Sequence, residues 1–144
     1  MVKESRTAIY DFLKPLFTSV SQNIYPQRVP TDNTSDDTEN GFIVIEVGDI
    51  RDESEFDLQT FGWVRCSVVA YIPQKTRGRW DEPKYKVFES GINTAVRNAI
   101  DNPDRTSPYA IQSDGILSSE DIEDTQKGNQ YSVYIKSFIV TIDG

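Results

Sequence analysis

LQTFGWVRCSVVAYI, residues 58–72, is the stretch around which the rest of the chain is arranged. It is too rich in β-branched and aromatic residues to be a helix and reads as a long strand. Side chains alternate across a strand, so Val64, Cys66, Val68, Ala70 and Ile72 share one face. Trp63, Arg65, Ser67, Val69 and Tyr71 share the other. The first face is expected to be buried and the second half wet.

Phe42-Ile43-Val44-Ile45-Glu46-Val47 is a second strand, and Tyr131 to Ile142 (YSVYIKSFIVTI) is a third, with both faces partly apolar. Tyr109 to Leu117 reads as a strand interrupted at Asp114-Gly115, a turn dipeptide. Ile24-Tyr25-Pro26-Gln27-Arg28-Val29-Pro30 carries two prolines, which confine it to a sheet edge. Residues 4–20 predict an amphipathic helix through Ile9, Phe12, Leu13, Leu16, Phe17 and Val20, with a kink or break near Lys14 caused by Pro15. Residues 84–100 predict another, through Tyr85, Phe88, Ile92, Ala95, Val96 and Ala99, ended by Asp101-Asn102-Pro103. Gly91 inside it is expected to mark a close approach to the sheet. Residues 31–41, 48–57, 73–83 and 118–130 read as polar connections, the first of them mobile because it has no apolar residue. This order predicts an α+β fold: a mostly antiparallel sheet packed against two amphipathic helices. At 144 residues and 16.4 kDa, the chain is read as a single domain spanning 1–144.

Composition narrows the chemistry. There is no histidine, which removes the commonest metal ligand and general base. The single cysteine, Cys66, lies mid-strand and reads as a small buried hydrophobe. No glycine-rich turn leads from a strand into a helix, and residues 49–55 (DIRDESE) do not have the spacing of a calcium loop. No enzyme activity, cofactor or metal is therefore expected. No apolar run is long enough for a membrane span, and MVKESRTAIYDFLK lacks the apolar core of a secretion signal.

The net charge of −8 is segregated. Residues 31–57 hold ten acids and one base, a window of −9 that leaves +1 for the rest of the chain. Residues 73–86 are +3, and residues 114–124 are −5. An acidic chain is ill suited to gripping nucleic-acid backbone, whose affinity comes from Lys and Arg. Same-sign blocks are ordinarily solvated loops. The sharper expectation is that opposite-sign loops lie on different sides of one subunit and meet between copies. The candidate interface residues are then Arg77, Arg79 and Trp80 on the basic side, and Asp36, Asp37, Glu53 and Glu55 on the acidic side. Trp80 has two readings: it folds back onto the domain edge, or it anchors an interface, where Trp and Arg are enriched.

The succession of an N-terminal amphipathic helix, the "YP…VP" segment at 25–30, the strand at 42–47, the long strand through Trp63 to Tyr71, the helix with Val87, Ile92, Ala95 and Val96, and a terminal strand resembles the tail-terminator, or tail-completion, proteins of long-tailed bacteriophages and prophages. The acidic loop at 31–41 and the basic loop at 73–83 depart from that pattern. The resemblance implies a head–tail joining protein of the virion, assembled in the bacterial host cytoplasm. It implies a hexameric ring that caps the tail tube, contacts the neck proteins, and lets DNA pass without specific binding. A ring requires one face of a subunit to meet a different face of the next. The competing reading is a soluble acidic adaptor or immunity-type binding protein that neutralises a basic toxin or nuclease. Self-assembly separates the two.

Overall fold

The computed structural model describes residues 6–27, 39–49, 51–52, 61–75, 79–113, 119–126 and 129–143. Their elements run α1 (Arg6–Phe17), β1 (Ile24–Pro26), β2 (Phe42–Val47), β3 (Arg51–Asp52), β4 (Phe61–Pro73), α2 (Glu82–Asp101), β5 (Tyr109–Ser113), β6 (Ser119–Gln126) and β7 (Asn129–Asp143). The strands form one sheet in the order β1-β2-β4-β7-β5, with β3 also on β4 and β6 also on β7. β1 runs parallel to β2, and every other pair is antiparallel. The fold is therefore the expected α+β sheet with two helices packed on it.

The expected burial of β4 holds. Val64, Cys66, Val68, Ala70 and Ile72 are all buried, and they meet Ile9, Leu13 and Phe17 of α1 and Tyr85, Phe88, Ile92 and Val96 of α2 in the main core. Tyr134, Phe138, Val140 and Ile142 of β7 complete it. The Tyr134 hydroxyl also donates to Asn93 Oδ1 at 3.0 Å, tying sheet to helix. The opposite face is half wet, as expected, but its apolar half forms a second core. Phe42, Val44, Val69, Tyr131 and Val133 are buried there, and Tyr25, Tyr71 and Ile135 pack against them. Phe42 stacks on Tyr71 at 4.8 Å, and Tyr131 meets both rings edge-on. Farther along this face Arg65 is exposed, and Ser67 and Ser137 share a hydrogen bond of 2.8 Å.

Several boundaries differ from expectation, each for a local reason. Pro15 does not break α1 near Lys14, because the helix runs through it to Phe17. Pro15 and Asp11 are both exposed, so the carbonyl that the proline frees faces water and the buried stripe stays continuous. α2 starts two residues earlier than predicted. Asp81 is its N-cap, accepting from the Lys84 amide at 3.3 Å, and Pro83 sits in the first turn, where no amide hydrogen is needed. β3 continues the line of β2 across a bulge. Val47 lies opposite Cys66 and Arg51 opposite Trp63, so four steps along one strand match three along the other. The Gly48 amide donates to the Arg65 carbonyl at 3.0 Å inside that bulge, and a Cβ at Gly48 would stand 2.9 Å from the same oxygen. β6 occupies a stretch that the sequence assigns to a polar connection; it pairs with β7 residue for residue from Ser119 to Gln126. The expected interruption at Asp114-Gly115 lies outside the described residues, as do residues 31–38 of the acidic loop.

Candidate interaction surface

Strand register carries the basic loop and the acidic strand β6 to one end of the sheet. Pro73, the last residue of β4, lies opposite Tyr131, and Tyr131 lies opposite Asp124 of β6 on its other side. Two strand spacings, roughly 10 Å, therefore separate the base of the basic loop from the acidic strand. The acidic loop returns to the same end. Gly41 precedes β2 at φ +87°, and a Cβ there would stand 2.6 Å from the Tyr71 carbonyl oxygen and 3.1 Å from Pro73 Cδ. Only glycine fits both the left-handed backbone and the close approach. Lys84 Nζ donates to the Glu39 carbonyl at 2.8 Å, linking the end of the acidic loop to the first turn of α2. Asn23 Nδ2 donates to the Gly41 carbonyl at 3.3 Å from the β1 side.

The expectation that opposite-sign loops occupy different sides of the subunit falls largely on residues 31–38, 53–60 and 76–78, outside the described residues. Of the described parts, Glu39 and the acidic strand β6 lie at the same end of the sheet as the base of the basic loop, whereas Asp52 lies opposite Gly62 at the other end of β4. The nearness of β6 to the basic loop comes from the β4–β7 pairing, which aligns the end of one strand with the start of the other.

Of the proposed basic residues, Arg79 is exposed, and its carbonyl accepts from the Lys75 amide at 3.0 Å, closing the turn. Trp80 follows the first of its two readings. It is half-buried, lies 4.9 Å from the Tyr85 ring and packs against the main core. Arg77, Asp36, Asp37, Glu53 and Glu55 lie outside the described residues.

A shallow groove of about 640 Å³ opens beside this end, between the turn after α1 and the start of α2. Val20, Phe88 and Pro83 supply apolar lining, with Asn23, Asn40 and Lys84 at the rim. Val87 stands on it 61% exposed. Its position in sequence, one step off the apolar face of α2, hides this role. Gln27 is likewise silent in sequence; its side chain is bonded to the backbone of β2.

The Cys66 thiol is buried, and burial pushes its pKa up to about 12, so it is no nucleophile at neutral pH. Among the described residues no cluster of Cys, Asp and Glu has the arrangement of a metal site, and no helix is long and apolar enough to cross a membrane. No protein-family model matches the chain, and a comparison with curated proteins finds no match.

Proposed function

We propose that this chain is a phage or prophage virion protein that caps the tail tube as a ring and joins it to the neck. The observation that carries the reading is the α+β fold, whose elements follow the chain order on which the resemblance rests: helix, edge strand, strand, long strand, helix, terminal strand. A second support is that Lys75 and Arg79 are exposed at one end of the sheet. Exposed ion pairs are each worth only about 0–1 kcal/mol, so such residues orient a neighbour more than they hold it. The holding contacts would be apolar, and the groove with Val87 offers such area.

The test is the mass of the full chain in solution at high concentration, by light scattering and by electron microscopy of the resulting particles. A closed ring of identical subunits that binds tail-tube ends is the expected result. Lys75→Glu with Arg79→Glu should keep the melting temperature and weaken assembly. Trp80 is left intact in this variant, because its packing on Tyr85 would confuse loss of assembly with loss of fold. A strictly monomeric chain at every concentration and on tube ends would overturn the reading, and a monomer that binds a basic protein would favour the adaptor instead.

A further inference from the structure

The two edges of the sheet are built differently. β1 closes one of them: it has three residues, ends in Pro26 without an amide hydrogen, and is followed by Gln27, whose side chain takes up the backbone of Val47. β6 forms the other edge alongside the start of β7. It has eight residues and no proline, and among the described residues it pairs only with β7.

The register shows which β6 amides are not turned toward β7. Pro73 has no N–H, so its pair with Tyr131 is of the non-hydrogen-bonded kind, and Tyr131 turns its amide and carbonyl toward Asp124. Asp124 and Ile122 therefore bond β7. Asp121 and Glu123, between and beside them, direct their backbone N–H and C=O outward. The closing pair Gln126–Asn129 around a two-residue loop agrees with this alternation.

We propose that the outer edge of β6 binds an extended, basic segment of another protein by strand addition. The edge supplies backbone donors and acceptors in a row, the main-chain half of such recognition. The residues of β6 supply the selectivity: Glu120, Asp121, Glu123 and Asp124 carry four negative charges in eight residues, with no base. Like charges set directly opposite destabilise a strand pair, which disfavours β6 pairing with β6 of a second copy and selects a cationic strand. The β1 edge of another copy is closed as described, so it is no substitute. This inference is independent of the ring reading.

The experiment uses the full chain and a capped nonapeptide of alternating Lys and Thr, against the same peptide N-methylated at every residue. The charge is equal, but only the first can donate to the ladder. The unmethylated peptide should bind at least tenfold more tightly, with affinity that falls as salt rises. On binding, amide exchange at Asp121 and Glu123 should slow at least tenfold, while Ile122 and Asp124, already bonded to β7, change little. Glu123→Pro should abolish this binding. Glu123→Lys, which keeps the backbone amide, should weaken it at least threefold and covers the case in which the proline variant fails to fold. Equal binding of the two peptides would reduce the effect to charge alone and overturn strand addition. So would binding of neither, or unchanged exchange at Asp121 and Glu123.

Discussion

The side chain of Gln27 pairs with the backbone of Val47 as though it were another strand residue: Oε1 accepts from the Val47 amide at 2.9 Å, and Nε2 donates to the Val47 carbonyl at 3.3 Å. The main chain leaves the sheet at Gln27 with φ +68°, so the side chain finishes a ladder that the backbone abandons. Gln27→Ala removes both bonds while keeping the strained backbone, and should destabilise the protein by about 1–2 kcal/mol. Gln27→Gly loses the same bonds but relieves the left-handed conformation, worth roughly 1 kcal/mol, and should cost less. Urea denaturation of the two variants checks the order; a glycine variant less stable than the alanine one would contradict it.

Gly91 is explained by Val20 and not by the sheet. A Cβ at Gly91 would stand 2.9 Å from Val20 Cγ2, where the turn after α1 crosses α2. Alanine gains about 1 kcal/mol of helix propensity. The clash opposes it, because a β-branched side chain is restricted at χ1, and overpacking costs about 1–3 kcal/mol. Gly91→Ala should therefore be neutral to destabilising in the wild type and stabilising in a Val20→Ala background. The coupling in this double-mutant cycle should be about 1 kcal/mol or more.

Val64 and Val68 are both fully buried on the same face of β4, but their partners differ. Val64 lies opposite Val140, and Val68 lies opposite Lys136. Burying an unpaired carboxylate costs several kcal/mol. Val68→Asp places its carboxylate across from a half-exposed ammonium, so part of that cost is offset. Both variants should be severely destabilised, Val64→Asp the more so by about 1 kcal/mol. The comparison of melting temperatures should narrow at high salt.

Where the pattern in the sequence is itself the cause of structure, the fold was legible. The alternation of residues 62–72 follows from a strand buried on one face, and the spacing of Tyr85, Phe88, Ile92 and Val96 from a helix laid on that face. β6 was not legible, because Ser119–Gln126 has one apolar residue in eight and is held by the backbone of β7. Pro83 misled because the same residue that breaks a helix interior suits its first turn. The candidate surface was legible only in part. Charge windows can be counted along the chain, but the nearness of the 73–86 and 114–124 windows depends on Pro73 meeting Tyr131, a pairing across 58 residues that no local pattern encodes. Trp80 sits among charges in sequence, and its packing on Tyr85 is set by the helix that starts after it.

Cys66 gives a prediction with a definite sign. Its thiol is buried among Val64, Val68 and Phe138, and the folded protein raises its pKa from 9.0 to about 12; desolvation is the main cause, opposed by the nearby Gly48 backbone. In the unfolded chain the thiol titrates near its ordinary value. Between these two values the unfolded state has lost its proton and the folded state has kept it. Stability rises with pH only where the unfolded state binds more protons, so here it must fall as pH rises. The contribution is absent below the ordinary thiol range, grows from about pH 9 and levels off near the folded value. Cys66→Ala removes it at the expense of a small cavity, which costs a roughly pH-independent amount. The stability difference between wild type and Cys66→Ala should therefore be constant from pH 6 to 8 and shrink as the pH is raised toward 10. A thiol reagent at pH 8 should modify the native protein at the rate of global or local opening, far slower than the urea-unfolded chain. Modification of the native protein as fast as the unfolded one would show that the β4 face is open to solvent, against the burial on which the main core depends.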